Sequence, residues 1–336
     1  WYLFRLPILD CYLDKENHCY QSVTMGPILS DNDLNHVVVD NLSTGYKILK
    51  NPKAKLYQVD ISNKQKIKNI LIKNNIKCIM HLAASILVPE SMTQPEKYYK
   101  NNVINLVELL EAAGEANVKY FIFSSTCAVY GETKKNKIKE NEDKKPTNIY
   151  GMTKLAGENL VKFYASKNKF QYAILRYFNV MGADIKLRTG PVKNTGHLFG
   201  NIIDSYLNNK MKISIFGTNY KTKDGTAIRD YIDVQDIAKI HLYAYKKIKK
   251  NKKSYEINCG IGNGFSVLKI IKSFEKIIKK KFTIKNKNPR PGDTESLICN
   301  TDFLNKTLKL DLKNNLFKSI VNAIKWKKKI NIHDIS

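Results

Sequence analysis

An α/β fold, a doubly wound parallel sheet followed by a smaller C-terminal lobe, is what this sequence predicts, and three observations predict it. Short continuous apolar runs recur between residues 36 and 179, as strands covered on both faces require. Longer stretches with helical spacing separate them, and beyond about residue 180 the alternation gives way to turn-rich segments. At 336 residues the chain is long enough for one large or two modest domains.

The elements follow in order. HVVVD (36–40) reads as a β-branched strand ending on an acid, and 63–74 as a helix. KCIMHLAA (77–84) is a second strand and 95–116 a long helix. YFIFSST (120–126) is a strand ending on hydroxyls, 150–167 a helix, and YAILRYFN (172–179) a further strand. GADIKLRTGPVKNTG and FGTNYKTKDGT carry the Gly, Asn and Asp of turns and mark an irregular lobe closing over the sheet. Ligands of such a sheet sit outside the carboxyl ends of its strands.

Composition narrows the partners. The 57 Lys and Arg outnumber 30 Asp and Glu, giving +27, which would suit a polyanion if the charge were clustered. It is spread along the whole chain, and only five of the 57 are Arg, so a solvated Lys-rich surface is expected and no nucleic-acid groove. The run KKIKKNKK (246–253) follows an apolar helical stretch, where cations suit the negative helix end. Six cysteines form no C-x-x-C pair and no zinc-spaced cluster, so reduced thiols in a cytoplasmic protein and no metal site are expected. No run reaches the roughly 18 apolar residues of a membrane span, and WYLFRLPIL at the start is too short and lacks a cleavage site.

Tyrosine precedes lysine by four places six times, from Tyr46, Tyr130, Tyr150, Tyr206, Tyr243 and Tyr245. Context selects one. A helix opening at Tyr150 stacks Tyr150 and Lys154 on one face, and Thr126 closes the preceding strand, so the three can converge on one crevice. A lysine about 4 Å from a phenol, at an effective dielectric near 20, contributes about 4 kcal/mol or roughly three pK units, enough to bring tyrosine toward neutral pH.

SSTCAVYG followed by YGMTK resembles the extended short-chain dehydrogenase/reductase family. DNLSTGY (40–46), HLAASILVPESMTQPEKYYKNNV (81–103), LRYFNVMGAD (175–184), HLF (197–199), IFGTNYKTKDGTAIRDYIDVQDIA (215–238) and PRPGD (289–293) are similar to its UDP-glucose 4-epimerase branch, over roughly residues 36–325. The resemblance implies a Rossmann-like domain over 31–180 that binds NAD, a mainly UDP-sugar-binding lobe over 181–336, and a homodimer with helices 95–116 and 150–167 paired across a two-fold axis. It implies interconversion of UDP-glucose and UDP-galactose, with Tyr150 as base, Lys154 as its activating cation and Thr126 orienting the reacting oxygen. It assigns Asp40, Asn41, Asp60, Ile61, Leu82, Ala83, Ala84, Ile86, Asn101 and Phe178, with Tyr150 and Lys154, to the cofactor. To the substrate it assigns Thr126, Asn179, His197, Leu198, Phe216, Arg229, Arg290, Asp293 and Leu297, the two arginines as diphosphate clamps. Arg176, inside a buried strand, is expected to be structural. Dehydratases of the family place an acid after the Ser/Thr; here Cys127 and Ala128 stand there, favouring epimerisation over elimination.

One family element is missing. About 20 residues before Asp40 a G-x-x-G-x-x-G turn should cradle the pyrophosphate at a helix start. The first 44 residues hold one glycine, Gly26, and the glycine places fall near Glu16, Cys19 and Ser22. Residues 1–30 are therefore expected to be an aberrant segment from a wrong reading frame or splice. The alternatives are a catalytically silent dinucleotide-binding or regulatory protein, another way of holding NAD, and, for the substrate, N-acetylhexosamine or pentose UDP-sugars.

Overall fold

In a computed structural model the chain is described over residues 8–12, 20–42, 54–133, 135–191, 196–290, 293–310, 312 and 315–330, with 8–12 and 20–24 as backbone only. It opens with β1 (Ile8–Tyr12) and α1 (Tyr20–Asp31), then β2 (His36–Asp40), β3 (Lys55–Gln58), α2 (Lys64–Lys73) and β4 (Cys78–His81). Next come α3 (Val88–Thr93), α4 (Pro95–Tyr99), α5 (Asn105–Glu115), β5 (Tyr120–Thr126), α6 (Ile149–Asn168) and β6 (Gln171–Tyr177). The expected strands at 36–40 and 120–126 are β2 and β5 to the residue. The helix expected over 95–116 is α4 and α5 joined through one π-helical turn, Lys100–Ile104.

Residues 8–12 and 20–31 form a strand and a helix of the first domain. β1 lies inside the sheet, parallel to β2 on one side and β4 on the other. A slot between two apolar strands leaves both ladders unpaired, and the five-residue run ILDCY supplies the missing backbone donors and acceptors. The segment 13–19, with Glu16 and Cys19, lies outside the described residues; Ser22 falls within α1, by backbone only.

The sheet is parallel throughout, in the order β10-β6-β5-β4-β1-β2-β3, with β10 (Tyr255–Cys259) returning from late in the chain. Its strand order reverses between β1 and β4, where an open sheet forms its crevice. Strand alternation divides the core. Cys78, Met80, Ile122 and Leu175 pack with Met25 and Leu29 of α1 on one face, and Ile79, Phe121, Phe123 and Ile174 pack with α2, α5 and α6 on the other.

The second lobe contains β7 (Asn179–Met181), α7 (Leu198–Leu207), β8 (Lys212–Phe216) and β9 (Ile228–Asp233). After α8 (Val234–Asn251), which packs back on the first sheet, come β11 (Gly264–Ser266), α9 (Val267–Ile278), β12 (Thr283–Lys287), β13 (Ser296–Leu297), α10 (Asp302–Leu308) and α11 (Leu316–Lys329). β9 is flanked by β11 and β13 and also pairs with β7. Buried Asp230 ties this sheet together: its carboxylate accepts from the backbone N–H groups of Ile261, Gly262 and Cys299. Burial pushes that carboxyl up to about 6, while the three donors oppose the rise. The basic end of α8 is as the sequence predicts, with Lys249 and Lys250 in its last turn.

Candidate active site

α6 starts where a side chain forces it to. Asn148 is its N-cap, with Oδ1 accepting from Gly151 N–H at 2.8 Å, and the Tyr150 N–H donates to Ser91 Oγ at 3.1 Å. Gly151 permits the helix to press on the turn after β5. A Cβ there would lie 2.6 Å from the Ala128 carbonyl oxygen and 2.9 Å from Pro146 Cβ. Tyr150 and Lys154 thereby face the end of β5. Lys154 is buried; its Nζ donates to the Ser124 carbonyl at 2.8 Å and stands 5.0 Å from the Phe123 ring centroid. Thr126 ends β5, with Oγ1 accepting from Ala128 N–H.

A cavity of about 470 Å³ opens at the carboxyl ends of β4, β5 and β6 and runs beneath the second lobe. Fourteen of the residues assigned from sequence line it: Leu82, Ala84, Ile86, Thr126, Tyr150, Lys154 and Phe178 near the sheet, and Asn179, His197, Leu198, Arg229, Arg290, Asp293 and Leu297 toward the lobe. Arg229 on β9 is nearly buried and pairs with Asp293 at 3.2 Å. Arg290 lies 4.0 Å from the Phe216 ring centroid, so Phe216, which does not line the cavity, is a platform for the guanidinium. Leu297 packs with Cys127, Phe178 and Cys299 in a small cluster beneath the site. Burial pushes the Cys127 thiol up to about 12, so the side chain that follows Thr126 is uncharged at neutral pH.

The remaining assigned residues extend along the sheet, away from the cavity lining. Asp40 closes β2 beside β1, is buried, and accepts from Leu42 N–H at 2.7 Å; burial raises its carboxyl to about 7. Asn41 Nδ2 donates to Asp60 Oδ2 at 2.7 Å. Ile61 and Ala83 are core residues packed against the helices on that face, not open surface. Asn101 Nδ2 donates to Ser85 Oγ at 3.1 Å, in the loop after β4.

Sequence reasoning missed the residues that hold this arrangement. Asn102, placed by the π-helical turn, clamps Ser85 by accepting from its N–H at 2.8 Å and donating to its carbonyl at 3.0 Å, and donates also to Thr153 Oγ1. Thr153 in turn donates to the Tyr150 carbonyl at 2.8 Å. Ser125 donates to Glu158 Oε1 at 2.6 Å, and Glu158 takes a bidentate pair from Arg176 at 2.8 and 2.7 Å. Arg176, fully buried, also meets Glu256 and donates to Tyr130 Oη, as a structural role predicts. Only the i, i+4 step from Lys154 to Glu158 on the helix carried a sequence signal for this network.

Among the described residues, the tyrosines of the other pairs do not reach such a setting. Tyr130 is buried against Asn258 and Arg176, outside the cavity lining, and Tyr206, Tyr243 and Tyr245 lie on α7 and α8, also outside it. Tyr46 falls outside the described residues. Among the described residues no His/Cys/Asp/Glu cluster could hold a metal ion, and no helix is long and apolar enough to cross a membrane.

Residues 27–260 match the model of the NAD dependent epimerase/dehydratase family. A UDP-glucose 4-epimerase of Lactobacillus helveticus is 39% identical over 295 residues, covering 87% of this chain and 89% of the relative. The solved UDP-glucose 4-epimerase of Brucella ovis in complex with NAD is 30% identical, with a TM-score of 0.89 over 96% of this chain and 98% of that one. The enzyme of that name from Bifidobacterium longum, solved with NAD+ and UDP, is 27% identical, with a TM-score of 0.87 over the same shares of the two chains.

Proposed function

The chain belongs to the NAD dependent epimerase/dehydratase family, and we infer that it interconverts UDP-glucose and UDP-galactose with NAD as cofactor. One observation carries the reading: Tyr150, Lys154 and Thr126 line the same cavity as Arg229 and Arg290 of the second lobe. The residues present fit NAD. Asp40 offers a buried carboxylate at the end of β2, an acceptor for the paired hydroxyls of a ribose, and Leu82 and Ala84 keep the way from β4 to the cavity free of polar bulk. When bound, NAD supplies reversible acceptance of the electron pair at sugar C4.

The chain's own residues do the rest. Tyr150 takes the proton of the 4-hydroxyl, and buried Lys154 favours the phenolate by its charge. Thr126 fixes the direction of the reacting oxygen. Arg229 and Arg290 would hold the diphosphate as planar forks while the 4-keto sugar turns about that link, so that the electron pair comes back to C4 on its other face and Tyr150 returns the proton to the 4-oxygen. The hydrogen bond of Lys154 Nζ to the Ser124 carbonyl fixes this cation at the end of β5.

The same reading places the protein in the cytoplasm, in galactose metabolism and in a homodimer. Cys78, Cys127, Cys259 and Cys299 are free thiols, as a reducing compartment allows. Tyr99, Ile104, Met152 and Phe163, on α4, the π-helical turn and α6, are exposed, Phe163 by 63%, and an isologous contact between these helices would cover them. The test is NAD content of the purified chain together with turnover of UDP-galactose to UDP-glucose. The second reading, a silent dinucleotide-binding protein, rests on the lack of glycine in residues 13–19. Bound NAD without turnover would establish it, and a chain that neither carries nor takes up NAD would overturn both.

A further inference from the structure

His241 has no part in the chemistry above, yet it is fully buried on α8 and its two ring nitrogens have different partners. Nδ1 lies 2.9 Å from the Ile237 carbonyl oxygen, one turn earlier on the helix. A carbonyl only accepts, so Nδ1 carries the proton. Burial lowers the imidazole to about 4, so at neutral pH the ring is neutral and Nε2 is bare. Tyr177 Oη lies 2.7 Å from that Nε2, so the phenol donates to it. Its one proton thus committed, Tyr177 Oη must accept from Ser124 Oγ, 2.6 Å away. The chain of bonds has one direction, from Ser124 through Tyr177 and His241 to Ile237.

Both ends of this chain matter to the site. Tyr177 lines the cavity beside Lys154 and Phe178, and the carbonyl of Ser124 is the acceptor of Lys154 Nζ. We propose that His241 is a positioning residue of the site: it takes the Tyr177 hydroxyl proton as a hydrogen bond, keeps that second cavity phenol a fixed neutral donor, and thereby pins Ser124, on which Lys154 rests. Among the cavity tyrosines this leaves proton transfer to Tyr150, since Tyr231 is pushed up to about 12 by burial.

The inference rests on the epimerase reading, and the experiment separates the two. In the ligand-free wild-type chain, nitrogen-15 spectra of the histidines should show His241 with Nδ1 protonated and Nε2 bare; an Nε2–H tautomer overturns the proposal whatever the activity. In the active enzyme His241→Leu should lower kcat roughly 10- to 100-fold through misplacement of the base's partner, with KM for UDP-galactose moving less, because the diphosphate end is untouched. His241→Gln, whose amide oxygen can accept the phenol proton, should restore most of the loss. In a Tyr177→Phe background His241→Leu should cost nothing further. Equal losses in the Leu and Gln variants at matched folded fraction by circular dichroism, or additive losses in the double variant, would show a packing role only and sink the proposal. A wild-type chain with the expected tautomer but no turnover refutes the epimerase reading instead.

Discussion

Gly151→Ala should damage catalysis far more than stability. The added Cβ would stand 2.6 Å from the Ala128 carbonyl oxygen, about 0.8 Å short of the 3.4 Å at which ordinary contact begins. That oxygen is backbone in the turn that follows Thr126, so it cannot rotate aside, and the start of α6 must move away from β5 by a comparable distance. For the fold, two terms partly cancel. Overpacking costs about 1–3 kcal/mol, and alanine in place of glycine within a helix returns about 1 kcal/mol. For the reaction nothing cancels. Tyr150 precedes the substituted residue and Thr126 lies on the other side of the contact, so their separation changes directly, and a shift near 1 Å costs about 10²-fold. The assay is kcat for UDP-galactose, with folded fraction set by urea unfolding. Gly114→Ala is the control, because the nearest atoms to its Cβ would be those of the side-chain amide of Asn168, which can move. If Gly151→Ala keeps kcat within about threefold of wild type at full folded fraction, the close approach of α6 to β5 does not position the base.

Tyr150→Phe should leave urea unfolding unchanged and lower turnover by about 10²- to 10⁴-fold, and full retained activity would remove Tyr150 from the role of base. Glu158→Gln removes the bidentate charge partner of buried Arg176 and leaves Glu256 as its carboxylate, so it should destabilise the fold by about 1–3 kcal/mol, read as a lower urea midpoint. Leu297 borders the cavity beside Phe178, so Leu297→Ala should raise turnover of the N-acetylated UDP-sugars and Leu297→Tyr suppress it. One such contact is worth about 10- to 200-fold in the kcat/KM ratio, and an unmoved ratio in the Tyr variant would exclude Leu297 as the gate. Asp40 is ionised only above about 7, because burial raises it, and hydrogen bonds from ribose hydroxyls require the carboxylate. NAD affinity measured by calorimetry should therefore rise as pH increases through that value, by about tenfold per pH unit on the acid side, and the rise should vanish in Asp40→Asn.

What the sequence determined by itself is what depends on near neighbours along the chain. The apolar run of HVVVD and the hydroxyl-ended YFIFSST gave strands because burial on both faces needs no knowledge of the partner strand. Tyr150 and Lys154 share a face because a helix turns in 3.6 residues, and Arg176 reads as structural because an arginine inside an apolar strand must be paired. The family resemblance extended this to the arginines of the second lobe, which the fold brings to the same cavity. The tertiary structure alone decided the rest. ILDCY carries no clear strand pattern among residues that do not match the family, and it becomes a strand because β2 and β4 leave a ladder to fill. Ile61 and Ala83, assigned to a ligand by position, turn inward because the helices on that face need apolar contact. Asn102, Thr153, Tyr177 and His241 show no local pattern that marks their task. Their partners lie between 3 and 64 residues away, several on other elements, and the direction of a hydrogen bond between such groups is set when α6 and α8 dock on the sheet and exclude the water that would otherwise satisfy each of them separately.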